Sequence, residues 1–152
     1  MHNQETVKQY IVLRKNPQTK TGEPVSAAKL AAMASHASMA FLSNRVKDGA
    51  RQLRDGSCVA TVVLSPEENS WITGIFTKIL LEVKNLHAME RVVTDAQALG
   101  FVEGKDFFCI KDNCLTELLP DEGSDRCFMA IGFRPMDVDK VKPIVKRLQL
   151  FK

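Results

Sequence analysis

Two short stretches carry side chains that can hold a ligand or move a proton. In "AAKLAAMASHASMAF", residues 27–41, Lys29 and His36 stand seven residues apart among seven alanines. In "IKDNCLTELLP", residues 110–120, Asp112 and Thr116 stand four apart, directly after the apolar "DFFC". At about 100° per residue, Lys29, Met33, His36 and Ala40 trace one helical stripe. Leu30, Ala34, Ala37 and Phe41 trace another, the expected core face. Lys29 and His36 then project from one side of the helix, beside the buried face, where a crevice can open; two solvent-facing side chains give the same pattern. Asp112 stands at a strand end, the position at which open α/β sheets bind ligands. Turn chemistry by Asp, Asn and Thr is the other reading of that loop.

Other chemistries find less support. Cys58, Cys109, Cys114 and Cys127 fit free thiols, and "CIKDNC" has no nearby His to complete a zinc set, so no metal is expected. Phosphate-cradling G-x-x-x-x-G-K-[ST], dinucleotide-binding G-x-G-x-x-G and the G-x-S-x-G elbow are all absent from the sequence, and no cofactor is implied. No Cys–His signature points to a nucleophilic thiol, although the residues alone leave that open. The net charge of +3 is compatible with a polyanionic partner and decides nothing by itself.

The elements that must position these residues follow from length and pattern. The chain has 152 residues, 45% hydrophobic and 26% charged, the composition of one globular domain with a sizeable core. No apolar run reaches the roughly 18 residues of a membrane span, and "MHNQETVKQY" lacks a signal-peptide core. A cytoplasmic protein without membrane association is therefore expected. "QYIVLR" reads as a buried strand, and "KNPQTKTGEP" as a loop broken by Pro17, Gly22 and Pro24. A helix capped by Ser26 follows, weakened or ended by Gly49 and Gly56. "SCVATVVLS" is either a strand or an insertion packed outside, and "PEENSWI" a short helix or turn. "FTKILLEVKN" reads as strand. "LHAMERVVTDAQALG" reads as a helix with Leu86, Met89, Val93, Ala96 and Leu99 on its apolar face and Gly100 after its end. "DFFCIKD" and "RCFMAIGF" read as strands, and "DVDKVKPIVKRL" as a last helix that either starts late, with Asp139 as N-cap, or bends at Pro143. This order is α/β, with a mixed, partly parallel sheet covered by helices.

The same residues resemble a known family. Lys29, Ala31, Ala32, Met33, His36 and Ala37 match the K-x-A-A-Q-x-x-H-A helix of the peptidyl-tRNA hydrolase 2 family, the archaeal and eukaryotic type. Trp71 before the second strand, "FFCIKDNCLTEL" against I-x-D-x-x-x-T, and "CFMAIGFRP" against the last strand continue the match from Tyr10 to Phe151. Residues 44–70 are left as divergent or inserted length. The resemblance implies a single domain with a mixed four-stranded sheet and helices on both faces. It implies metal-independent hydrolysis of the ester joining peptide to tRNA, in an assembly that is commonly a homodimer. Carried over, Lys29, Asp112 and Thr116 match active-site positions, and His36 the recurring histidine. Arg14, Lys15, Lys20 and Arg134 are then the cations expected to meet tRNA phosphates. Met33 replaces the usual Gln, and "GSDRCFM" offers Ser124 but no threonine where the family leads into its last strand with Gly-[Ser/Thr]-x-Thr. A module that keeps the fold and binds RNA or protein without catalysis is the alternative.

Overall fold

Alternation in the first strand, β1 (Val7–Arg14), divides the molecule into two cores. Ile11 and Leu13 join an apolar cluster with Met33 and Ala37, whereas Val12 joins one with Met89, Val92 and Ile144. The structure, a computed structural model, describes residues 6–152, and the first five residues of the polar N-terminal stretch lie outside it.

The long helix α1 (Ala27–Gly49) begins where Ser26 accepts the Lys29 N–H at 3.1 Å. It ends at Gly49, where a Cβ would lie 2.7 Å from the Thr61 carbonyl oxygen. A two-stranded ribbon follows, β2 (Ala50–Gln52) against β3 (Cys58–Ala60), separate from the main sheet. Of the "SCVATVVLS" run, only Cys58–Ala60 is strand. The short helix α2 (Pro66–Thr73) opens with a complete capping box between Ser65 and Glu68.

β4 (Lys78–Val83) then pairs in parallel with β1, from Gln9 opposite Lys78 to Arg14 opposite Val83. α3 (Leu86–Ala98) buries Met89, Val92 and Ala96. Leu99, expected on that face, is 51% exposed, because it is the cap residue and no longer follows the helical turn. β5 (Phe107–Asp112) and β6 (Cys127–Phe133) pair antiparallel, and β7 (Met136–Asp137) adds a short rung to β1. α4 (Val138–Val145) is capped by Asp137 rather than Asp139 and holds Pro143 within it. β8 (Gln149–Leu150) closes against β4.

The sheet is mixed and open, in the order β5-β6-β1-β4-β8, with β7 off that path on β1. It has six strands rather than the expected four, because β7 and β8 are two-residue rungs too short for any periodicity to mark. Helices cover both faces, with α1 and α2 over one cluster set and α3 and α4 over the other.

The alanines of α1 let it lie very close to the sheet. A Cβ on Gly132 of β6 would sit 2.0 Å from the Ala37 carbonyl oxygen, so backbone meets backbone there. Beside this contact, Gln9, fully buried, donates to the Ser38 carbonyl at 2.8 Å and accepts from the Ser38 hydroxyl at 2.6 Å. Both polar ends of the amide are satisfied inside the core, which fixes the helix along the strand as well as above it.

Candidate active site

β5 is antiparallel to β6 and β6 to β1, so β1, β4 and β5 all run in one direction. Their carboxyl ends share one edge of the sheet, and Asp112 is the last residue of β5. One oxygen of its carboxylate, Oδ2, accepts the Cys114 N–H at 3.0 Å, an Asx-turn. Cys114 reaches that position with φ +60°, in the left-handed region. The other oxygen, Oδ1, faces Lys29 Nζ at 3.1 Å. The two side chains are 16% and 11% exposed, largely buried at the rim, where a charged pair keeps some access to solvent and is less screened than on an open surface.

Lys29 is held by the start of its helix, and that start is held from across the chain. Ser26 donates its N–H to Glu117 Oε2 at 2.9 Å and its hydroxyl to Oε1 at 2.6 Å. Those two bonds, the hydroxyl first, keep the Glu117 carboxyl below its ordinary value. The Glu117 carbonyl accepts the Lys20 N–H at 2.8 Å, and Lys20 Nζ donates to the Cys114 carbonyl at 3.0 Å. A bridge between Thr19 and Leu118 and a bond from Leu119 N–H to the Gln18 carbonyl complete the stitching. The loop after β1 and the loop after β5 therefore act as one frame around Lys29 and Asp112. Sequence reasoning did not find Glu117, whose only signal is a carboxylate five residues after Asp112; its partner is 91 positions away.

The remaining expected residues fall in different places. Thr116 is exposed and makes no hydrogen bond among the described residues, so the Asp112 carboxylate is fixed by Cys114 and Lys29 instead. The buried face of α1 is Met33, Ala37, Ala40 and Phe41, rotated by about 45° from the expected stripe. Lys29 stays at its border, His36 is exposed, and Met33 is a core residue beside Cys127 and Met129.

Two of the cations expected at phosphates are engaged within the chain. Arg14 is buried, paired with Asp121 at 2.6 Å and bonded to the Phe128 carbonyl at 3.4 Å, because its strand ends beneath the 121–128 segment. Arg134 is committed to Asp106 at 3.0 Å and Glu67 at 3.5 Å. Lys15 is half-exposed and paired with Glu82 at 3.2 Å, while Lys20 is exposed at the site itself.

Three of the four cysteines are poor nucleophiles here. Burial pushes the Cys127 thiol up to about 11 and Cys109 to about 12, and it raises Cys114 as well. Among the described residues, no three His, Cys, Asp or Glu side chains converge as metal ligands. No helix among them is long and apolar enough to cross a membrane.

What the arrangement offers chemically is a fixed carboxylate with open lone pairs, an ammonium group beside it, and the positive end of a long helix. Compared with known proteins, residues 7–151 match the family model described as peptidyl-tRNA hydrolase PTH2. Among curated proteins there is no match.

Proposed function

The chain belongs to the peptidyl-tRNA hydrolase PTH2 family, and on that premise we propose that it hydrolyses the ester between peptide and tRNA, in the cytoplasm and without a metal. The observation that carries this reading is the Lys29–Asp112 pair at the shared carboxyl end of β1, β4 and β5. Asp112 orients a water and takes its proton as the water oxygen attacks the ester carbonyl. Negative charge then builds on the carbonyl oxygen, next to the Lys29 ammonium and the N-terminus of α1. Collapse of the tetrahedral intermediate breaks the bond to the ribose oxygen, which leaves with the proton from Asp112. The products are a tRNA 3′ end and a free peptide, whose new carboxylic acid loses its remaining water-derived proton to solvent.

In this scheme Thr116, exposed beside Glu117, meets substrate or water rather than Asp112, and His36 lies outside the proton path. Lys20 and Lys15 are the cations left to meet phosphate near the ester. Residues 44–70 are read as length added to the family frame, and a homodimer is the assembly the family suggests.

The test is release of free peptide from an N-acetylaminoacyl-tRNA. Asp112→Ala and Lys29→Ala should each lower kcat by about 10²-fold or more, with His36→Ala close to wild type. No release above background by the wild type would sink the activity. Full activity of both variants would sink the site and spare the activity. One observation favours the binding-only alternative: Met33 fills with a thioether the place of the family's amide. That alternative predicts tRNA retention on filters without peptide release.

A further inference from the structure

The β2–β3 ribbon belongs neither to the sheet nor to the site, and its surroundings are unusual. Residues 46–61 are all exposed, sixteen in a row. Its strands have three residues each, and an isolated two-stranded hairpin is marginal in water. Three cations, Lys47, Arg51 and Arg54, stand on it or at its root, and none is in an ion pair among the described residues. Of the nearby carboxylates, Asp55 is turned onto the Ser57 N–H and hydroxyl at 2.9 and 2.5 Å, holding the tip, and Asp48 lies at the root. Between the ribbon and the site, α1 carries no Asp or Glu from Ala27 through Lys47. From Lys29 to Gly49 the helix rises about 30 Å, on the order of one turn of a nucleic-acid duplex.

We propose that this ribbon is a second grip on tRNA, touching phosphates of its duplex body while the ester sits at Lys29 and Asp112; the inference rests on the peptidyl-tRNA reading above. Duplex RNA is held by shape and by backbone contacts rather than by base edges. Guanidinium groups suit phosphate because their forked donors match its oxygens. α1 itself sets no carboxylate along the length between the two grips, and Glu103, which lines a pocket with Ala40 and Asn44, is a like charge beside it. Leu53 and Val59 are exposed on the ribbon as well, but the three cations without ion-pair partners at that end are what a phosphate backbone neutralises and an apolar surface does not.

The experiment compares wild type with the double variant Arg51→Glu/Arg54→Glu, both sites being exposed. For N-acetylaminoacyl-tRNA the variant's KM should rise about tenfold at constant kcat, and the log–log salt slope should flatten by about two. The N-acetylaminoacyl ester of a CCA trinucleotide is too short to reach the ribbon and should be cleaved equally by both. Equal KM on both substrates overturns the grip. If the wild type cleaves neither substrate, the activity reading fails, and filter binding of uncharged tRNA decides the ribbon by itself. Binding about tenfold weaker in the variant then sustains it, and equal binding overturns it. A fall in the variant's solution mass with unchanged tRNA affinity also overturns it, and assigns the ribbon to contact between two copies.

Discussion

Cys114 adopts a left-handed backbone, φ +60°, so that its N–H can reach Asp112. The thiol is incidental to that geometry, since the donor is main-chain. Cys114→Ala should keep near-normal kcat, whereas Cys114→Val, β-branched in the left-handed region, should lower stability by about 1–2 kcal/mol and reduce kcat. Thermal melts and peptide release on both variants check this, and equal behaviour would remove the turn from the site. Glu117 makes a pH prediction. Its carboxyl is depressed below 4.5 by Ser26, so its hold on α1 is fully present above pH 4.5 and is lost as pH falls through the depressed value. Glu117→Gln should therefore lower kcat at neutral pH and flatten the acid limb of the kcat profile below pH 4.5 relative to wild type. An unchanged acid limb would show that the cap does not position Lys29.

At the scale of elements, the approach of α1 to β6 decides which side chains face where. Alanine content makes close packing feasible, but Gly132 sets its depth and the roll of the helix. That roll, about 45° from the face expected on periodicity, turns the Met33 and Ala40 side of the helix inward, while His36 on the same stripe stays exposed. Gly132→Ala should cost about 3 kcal/mol or more, since the obstacle is backbone and cannot swing away. A melting curve within 1 °C of wild type, on the order of a few tenths of a kcal/mol, would overturn this account. α2 is set by local chemistry, with Ser65 and Glu68 closing the capping box. Burial pushes the Glu68 carboxyl up, but the Arg45 guanidinium and the Ser65 N–H outweigh it and hold it below its ordinary value. The same pair ties α2 to the far half of α1.

For the whole molecule, the shared direction of β1, β4 and β5 gathers three strand ends and the start of α1 at one edge. This arrangement also determines which cations are available to a polyanion. Arg14 looks like a surface residue in "VLRKN", yet it ties β1 to the segment ahead of β6 through Asp121. Arg14→Ala should destabilise by about 3 kcal/mol, because it strands a largely buried carboxylate. It should leave the salt slope of tRNA binding unchanged, whereas Lys20→Ala should flatten that slope by about one with little effect on stability. The reverse result would return Arg14 to the RNA interface.

The sequence by itself determined the α/β order, the caps at Ser26 and Gly100, the core strands and the family resemblance. These are local signals, set by periodicity, capping and composition within a dozen residues. It also singled out Lys29 and Asp112, each as one half of an ambiguous pattern. Only the tertiary structure placed them 3.1 Å apart, sank Met33 and Arg14, exposed Thr116 and His36, and brought Glu117 to Ser26. Those outcomes depend on pairings 83 and 91 residues apart along the chain, and on how deeply one helix settles on one glycine. No local pattern records such contacts, because their energy comes from groups that the chain brings together only after it has folded.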